Sequence, residues 1–257
     1  MSTTPRRLTF GAHADAYERA RPVWPEEAAR WLVPEGARLV VELGAGTGKL
    51  TRTLASVVPH VVAVEPDPRM LAVLREQGLD GEEGSAEAIP LGDGEADAVV
   101  AGSAMHWFDL ECALPEFHRV LRPGGRLGFG WNHRDSEHAS IAAMSDVIYG
   151  AQGRVDGGHW RSRDWRAELT GSGLFRDVEQ ARIEHVHELP RDALHDHLLS
   201  YAGVAALPAA VRDDVFRRVA AILDGEPTIA AGEALKLPFL VHAYRATRAE
   251  RGASPSP

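Results

Sequence analysis

The chain has 257 residues and a formal net charge of −9 without any block of Lys and Arg, which argues against nucleic-acid binding because neutralising a phosphate backbone requires a basic surface. No apolar run approaches the roughly 20 residues that span a bilayer, and the single cysteine, Cys112, excludes an intramolecular disulfide. We therefore expect a cytoplasmic globular protein without a membrane partner, organised as one large domain or as a core with a cap.

The first half of the chain alternates between predicted helices and predicted strands. Pro25, Asp67 and Pro68 supply the helix-starting residues that such a pattern requires. Short apolar strands that end at glycines are typical of a parallel sheet buried on both faces. The alternation predicts an α/β fold, Rossmann-like and doubly wound around a mostly parallel sheet. Helices are predicted at 12–20, 26–32, 50–58, 67–77 and 110–121, and strands at 38–42, 61–64, 96–101 and 127–131.

The second half is mostly helical. Helices are predicted at 140–149, 164–169, 192–201 and 209–223, a loop at 150–158, and strands only at 178–186 and 235–244. The two strands predict a C-terminal antiparallel hairpin at the sheet edge, with the helices forming a helical cap over the site. The expected organisation is an N-terminal lid (1–35), a cofactor-binding core (36–136), a cap for substrate (137–234), a returning edge strand (235–248) and a disordered tail (249–257).

A glycine-rich turn between the first predicted strand and the next helix is the most informative segment. Gly44, Gly46 and Gly48 follow Glu42 in the pattern Glu-x-Gly-x-Gly-x-Gly. Glycines at such a turn let backbone approach a ligand closely and tolerate a positive φ. Glu65 lies at the end of the next strand, where an acid can accept hydrogen bonds from both hydroxyls of a ribose. A turn without a ligand and a solvated carboxylate are the alternatives.

Two other nucleotide motifs fit this turn less well. A dinucleotide fingerprint requires a glycine where Lys49 stands, so that match is partial. A phosphate-binding P-loop requires a glycine and a Ser or Thr where Leu43 and Leu50 stand, and it therefore fails. An NAD-dependent oxidoreductase thus remains the main alternative function.

Four ordered segments resemble the class I S-adenosylmethionine (SAM)-dependent methyltransferases. They are VELGAGTGKLT, VEPDPRM, GSAEAIPLGDGEADAVVAGSAMHWFD and LRPGG, and the resemblance covers residues 10–131. Within that family the chain is similar to the small-molecule branch called methyltransferase type 11 (UbiE-like). The resemblance implies SAM as cofactor, S-adenosyl-L-homocysteine (SAH) as product and a small-molecule acceptor. A member of the fold that binds SAM but performs other chemistry is a further alternative.

The resemblance also implies roles for individual residues around the cofactor. Met70 has helix core as its alternative role, and Ser85 stands where many relatives have an aspartate. The segment FGAHADAYERARP resembles an element that folds over the cofactor, and its Arg21 can pair with the cofactor carboxylate or lie solvated on a helix. The implied set is Gly44, Ala45 and Gly46 under the methionine part, Glu42 and Gly48 in the same loop, Glu65 on the ribose, Met70 on the adenine face, Ser85 and Ala86 at the adenine edge, and Tyr17 and Arg21 closing the site.

Three further residues are candidates for the substrate side. His106 follows the strand 96–101, at the carboxyl edge where such folds bind ligands, and can act as general base if the acceptor is a hydroxyl. A packing or orienting role is its alternative. Trp107 can form an apolar wall, and Asn132, followed by His133 and Arg134, supplies polar groups at the next strand end. Methyl transfer is an in-line displacement, so the protein mainly aligns the reactants and excludes water. No metal site is expected, because the remaining histidines lack ligand spacing.

Overall fold

The computed structural model describes residues 21–153, 159–230 and 232–250, and a seven-stranded sheet lies at its centre. The strand order is β3-β2-β1-β4-β5-β7-β6; β1 to β5 run parallel, and β7 runs antiparallel to both β5 and β6. The doubly wound, mostly parallel sheet and its C-terminal antiparallel pair are thus confirmed. The strands are β1 Leu39–Leu43, β2 His60–Glu65, β3 Gly81–Glu83, β4 Ala96–Gly102, β5 Leu121–Arg134, β6 Phe175–Pro190 and β7 Ala234–Arg248.

Three of the described helices begin after an aspartate whose carboxylate bonds a free N–H group of the first turn. The carboxylate of Asp67 accepts from Arg69 N, and Pro68 occupies the first helical position. Asp109 accepts from Glu111 N in the same way. The helices are α1 Glu26–Leu32, α2 Lys49–Ala55, α3 Pro68–Glu76, α4 Leu110–Val120, α5 Ala139–Ala151, α6 Trp165–Gly171, α7 Leu194–Leu199, α8 Ala202–Ala205, α9 Ala209–Asp224 and α10 Pro227–Ala230, with 3₁₀ turns at Met105–Trp107, His159–Ser162 and Arg191–Ala193.

Hydrophobic clusters cover both faces of the sheet, and a third lies within the helical cap. One face packs against α1 and α2, and the other packs against α4 together with Trp160 and Trp165. The third cluster joins α5 and α9 to the first half of β7. Because the cap has buried side chains of its own and shares β7 with the sheet, it is held at a fixed place beside the carboxyl ends of the strands.

The structure differs from the sequence-based expectation at four places. The strand at Ala234–Arg248 lies between β5 and β6, so the outer edge is β6 rather than the last strand. The helix predicted at 192–201 is interrupted, because the Ser200 hydroxyl bonds the carbonyl of His197 and ends α7. Residue Ala249 of the predicted disordered tail donates to the Leu174 carbonyl. The short strand β3 was not predicted, since its Gly-Glu-Glu sequence has no apolar pattern. The predicted helix 12–20 and residues 251–257 lie outside the described residues.

Candidate active site

A cavity of about 510 Å³ opens at the carboxyl ends of β1 and β4 and extends beneath the cap. The sheet continues through β2 and β3 on one side of this point and through β5 on the other, so the strand order reverses here. In open α/β sheets this switch point is where ligands bind. Its described wall residues come from the glycine loop and the ends of β2, β4 and β5, and from α5 and the α7–α8 region of the cap.

Two of the three alternating glycines line the cavity. Gly44 has φ +65° and Gly46 has φ +60°, a left-handed conformation that favours glycine. A Cβ on Gly44 would lie 2.8 Å from the Cβ of Ala104, whereas a Cβ on Gly46 would meet no atom of the described residues within 4 Å. The space above Gly46 therefore belongs to the cavity, and a side chain there would occupy it.

The other predicted loop residues are not among the residues that line the cavity. Gly48 has φ +88° and its Cβ position lies 2.5 Å from Leu79, so close packing beneath the loop requires this glycine. Ala45 is 6% exposed and packs in the small cluster beside α3. The carboxylate of Glu42 is 1% exposed and accepts a 2.6 Å hydrogen bond from the Thr51 hydroxyl. The structure therefore gives Glu42 and Gly48 local packing roles, and direct cofactor contact by them stays a prediction.

Glu65 holds the loop in shape and also lines the cavity. Its Oε2 accepts a hydrogen bond from Gly46 N at 2.8 Å, and its Oε1 accepts one from Asp67 N at 2.8 Å. Burial raises the pKa of Glu65, and the two backbone N–H groups oppose that rise. A carboxylate has about four acceptor positions, so each oxygen keeps capacity for a ribose hydroxyl.

Three of the remaining predicted cofactor residues fall on the same side of the cavity as Glu65. Met70, Ser85 and Ala86 line the wall near Glu65. Met70 is also 5% exposed, so it belongs to the helix core as well. Arg21 lines the cavity from the N-terminal segment and donates to the Ser200 carbonyl of the cap at 3.2 Å. Tyr17 lies outside the described residues.

His106 lies in the cavity wall, in the 3₁₀ turn after β4, and its ring is oriented by a tryptophan. The indole N–H of Trp131 donates to His106 Nδ1 at 3.0 Å. An indole nitrogen can only donate, so Nδ1 must carry a lone pair. A neutral His106 therefore holds its proton on Nε2. This tautomer presents a donor rather than a base.

Aromatic rings form much of the wall beneath the cap. Trp131 and Trp160 stack with centroids 4.5 Å apart and planes 4° apart, and the Trp107 ring lies 4.6 Å from that of His106. Asn132 lines the cavity, but its amide donates to the Val23 carbonyl and its oxygen lies 2.9 Å from His185 Nε2. Asn132 thus joins β5 to β6 and to the N-terminal segment, and a substrate contact by it stays a prediction.

Basic and aromatic residues line the cap side of the cavity, and most of them lie in segments without a recognisable motif. Arg134 follows Asn132 at the end of β5, and Arg161 Nη2 lies 3.0 Å from His133 Nδ1. Burial, with a smaller effect of the nearby Arg161, lowers the pKa of His133 to about 3, so this ring is neutral at physiological pH. The polar triplet at a predicted strand end was the only signal for Arg134. Nothing in the local sequence pointed to Trp160, Arg161 or Tyr201.

Comparison with known proteins agrees with this geometry. The family model described as a methyltransferase domain matches residues 41–129. An uncharacterised methyltransferase of Mycobacterium tuberculosis is 42% identical over 94% of this chain and 96% of its own length.

The chain belongs to the SAM-dependent methyltransferases.

Other relatives of this methyltransferase extend the comparison. A solved structure assigned as a type II methyltransferase of Anaeromyxobacter dehalogenans has a TM-score of 0.65 at 25% identity, covering 89% of this chain and 97% of the other. A malonyl-[acyl-carrier protein] O-methyltransferase of Methylococcus capsulatus is 37% identical over 67% of this chain and 62% of its own length. Among the described residues of the methyltransferase, no helix has the length and apolar character to cross a membrane, and no group of three or more His, Cys, Asp or Glu is placed to hold a metal ion.

Proposed function

We propose that this methyltransferase transfers a methyl group from SAM to a small-molecule acceptor bound beneath its cap. The observation that carries the proposal is the continuity of one cavity. Its wall includes Gly44, Gly46 and Glu65 at one end and Trp131 and Tyr201 at the other. Donor and acceptor can therefore meet within it, with His106 also in the wall. A cavity of about 510 Å³ falls in the size range of small-molecule sites.

The residues at the glycine-loop end fit SAM. The open space above Gly46 gives a flat ligand direct access to backbone. Glu65 has acceptor capacity for ribose hydroxyls, and Met70, Ser85 and Ala86 lie beside it to contact the adenine. Bound there, SAM supplies a methyl group already activated by its sulfonium. The chain's own contribution is then to position the acceptor and to exclude water.

The observed state of His106 is better suited to orienting the acceptor than to removing a proton from the acceptor. The Trp131 bond places the proton on Nε2, from which His106 can donate to an oxygen of the acceptor. To act as a general base at Nε2, His106 would need the other tautomer, with its proton on Nδ1. In that tautomer the Nδ1–H and the indole N–H of Trp131 would be two donors pointing at each other, without an acceptor. We therefore propose that His106 positions the acceptor, and that base catalysis, expected for a hydroxyl acceptor, requires rearrangement of Trp131.

The relatives leave the acceptor atom open. The Methylococcus capsulatus protein is an O-methyltransferase by name. A UbiE relative of the chain is, in contrast, a C-methyltransferase by name. Oxygen, nitrogen and carbon acceptors all remain compatible with the proposal.

Titration calorimetry with SAH and NAD tests the cofactor assignment. We expect SAH to bind with a Kd in the micromolar range or below, and NAD to give no binding heat. Gly46→Val should abolish SAH binding, because its side chain would enter the open space of the cavity. Gly124→Val is the matched control. Gly124 has φ +72° and an equally open Cβ position, but it lies near the start of β5, at the end of that strand away from the cavity.

The outcomes separate the alternatives. Tight NAD binding without SAH binding would establish the oxidoreductase and refute the proposal. Loss of SAH binding in both glycine variants would show that binding is lost through backbone strain and not through a side chain that fills the cavity. A third outcome is that Gly46→Val abolishes SAH binding, but the parent never converts SAM to SAH with any acceptor. That result would indicate non-methyltransferase chemistry.

A further inference from the structure

Arg134 is a buried cation in the cavity wall, and no described residue of that wall is its acidic partner. Its side chain is 94% buried, given an exposure of 6%, and no ion pair among the described residues includes it. Nη2 donates to the Tyr149 hydroxyl at 3.3 Å, and the guanidinium carbon lies 4.6 Å from the centroid of Tyr201. Nη1 is shielded from water and has no hydrogen-bond partner among the residues that the structure describes.

Such a group needs an explanation, because a buried charge without a counter-ion is strongly unfavourable. One neutral hydroxyl and two aromatic faces compensate only in part. An unsatisfied buried group in a cavity is a signature of a binding site that is completed by its ligand.

The surroundings of Arg134 are basic. Arg21 stacks on the same ring, its guanidinium carbon 4.1 Å from the Tyr201 centroid, and Arg161 lies over Trp160. Both arginines also line the cavity. This concentration of positive charge stands in a protein whose acidic residues outnumber its Lys and Arg by 37 to 28.

The acidic residues of the described wall lie on the cofactor side. Glu65 accepts from the backbone N–H groups of Gly46 and Asp67, and Glu87 accepts from Asp109 N at 3.1 Å. Neither forms an ion pair with Arg134. The cap side of the cavity therefore carries positive charge, and no described acidic residue lines it. The flat stacked pair of Trp131 and Trp160 lies beside this charge.

We propose that Arg134 binds a carboxylate of the acceptor, and that the acceptor is a small carboxylic acid with a flat, apolar body. The planar guanidinium matches a carboxylate in a two-point hydrogen bond, and Nη1 would gain its missing partner. The aromatic pair would contact the apolar body. This inference rests on the proposed function, since it places the acceptor in the cap half of the same cavity.

The test uses the full chain saturated with SAH and titrated with probe ligands. The carboxylates are benzoate, trans-cinnamate and indole-3-acetate, each compared with its neutral amide, and inorganic phosphate is a separate arm. We expect at least one acid to bind at least tenfold more tightly than its amide. Arg134→Met should reduce that binding at least tenfold, Arg134→Lys should retain part of it, and Arg217→Met, on the exposed face of α9, should leave it unchanged.

Two further measurements distinguish a binding role from a structural one. Since Met removes an unpaired buried charge, the urea midpoint of the Arg134→Met variant without ligand should equal or exceed that of the parent. Its affinity for SAH should stay within twofold of the parent.

Several results would overturn the inference. Equal binding of acids and amides, no binding by any acid, or phosphate binding in place of the acids would exclude a carboxylate site. A lowered urea midpoint together with retained acid binding would make Arg134 structural. A strong loss of SAH affinity would assign Arg134 to the cofactor carboxylate. Failure of the parent to bind SAH at all would refute the proposed function itself, which is a different outcome.

Discussion

Glu42→Gln should make the stability of the protein less dependent on pH. Glu42 is buried at the end of β1, beneath the glycine loop, and its burial raises its pKa from 4.5 to about 8. The Thr51 hydroxyl bond opposes this rise, and the negative charge of Glu65 adds to it. The folded protein therefore keeps a proton on Glu42 at pH values where the unfolded chain has lost it. Glutamine resembles the protonated acid and does not titrate.

The sign follows from the raised pKa. The contribution of Glu42 to stability is fully present below about pH 4.5 and is lost as the pH rises through about 8. This interval is about 3.5 pH units, and at about 1.36 kcal/mol per unit the loss is at most about 5 kcal/mol. About 1 kcal/mol of this loss has already occurred at pH 5, and water entry and local relaxation reduce the rest. We therefore expect a gain of about 2–4 kcal/mol for Glu42→Gln relative to the parent between pH 5 and pH 9.

Urea unfolding at pH 5, 7 and 9 measures this difference. All other groups titrate in both proteins, so the change in the free-energy difference with pH reports Glu42 together with its interaction with Glu65. Glu76→Gln, which removes an exposed carboxylate at the end of α3, is the control and should give a constant difference. A Glu42→Gln variant whose difference from the parent stays constant from pH 5 to pH 9 would show that Glu42 is ionised throughout and that the argument is wrong.

Three other changes test single contacts. Glu65→Gln should weaken SAH binding in calorimetry by ~1–3 kcal/mol, because its amide N–H₂ would face a backbone N–H now bonded to the carboxylate; unchanged affinity would exclude the ribose assignment. Gly48→Ala should lower the free energy of unfolding in urea by ~1–3 kcal/mol through positive φ and contact with Leu79, whereas equal stability would contradict the packing role. Trp131→Phe should change the His106 ring from the Nε2–H tautomer to a mixture in ¹⁵N–¹H NMR correlations of the imidazole, and a parent spectrum already showing Nδ1–H would refute the assignment.

The sequence by itself determined four of the five parallel strands and the place of the glycine loop among them. A strand, a glycine turn and a helix lie within about 20 residues of chain, and their pattern depends on local conformation and burial alone. Because parallel strands end at one edge, the position of Glu65 at the end of β2 was enough to place it beside Gly46. Met70, Ser85 and Ala86, which the family resemblance implied, line the cavity on the same side, and their contact with the cofactor stays a prediction.

The tertiary structure decided which way the loop residues face. Glu42 and Gly48 belong to the same motif as Gly44 and Gly46, yet they are not in the cavity wall. Their orientation depends on Thr51 and Leu79, which no motif specifies. A motif fixes the path of the backbone, and neighbouring side chains decide what each residue contacts.

The cap side of the cavity was decided entirely by long-range packing. Trp131 orients His106 across 25 positions of sequence, and Arg134 meets Tyr201 only because the cap folds back over β5. The place of β7 between β5 and β6 is likewise set by pairing between distant segments. Such contacts leave no periodic pattern in the chain, since each arises where two separately folded elements meet. The glycine-loop side of the cavity was therefore predictable from sequence, while the cap side required the fold.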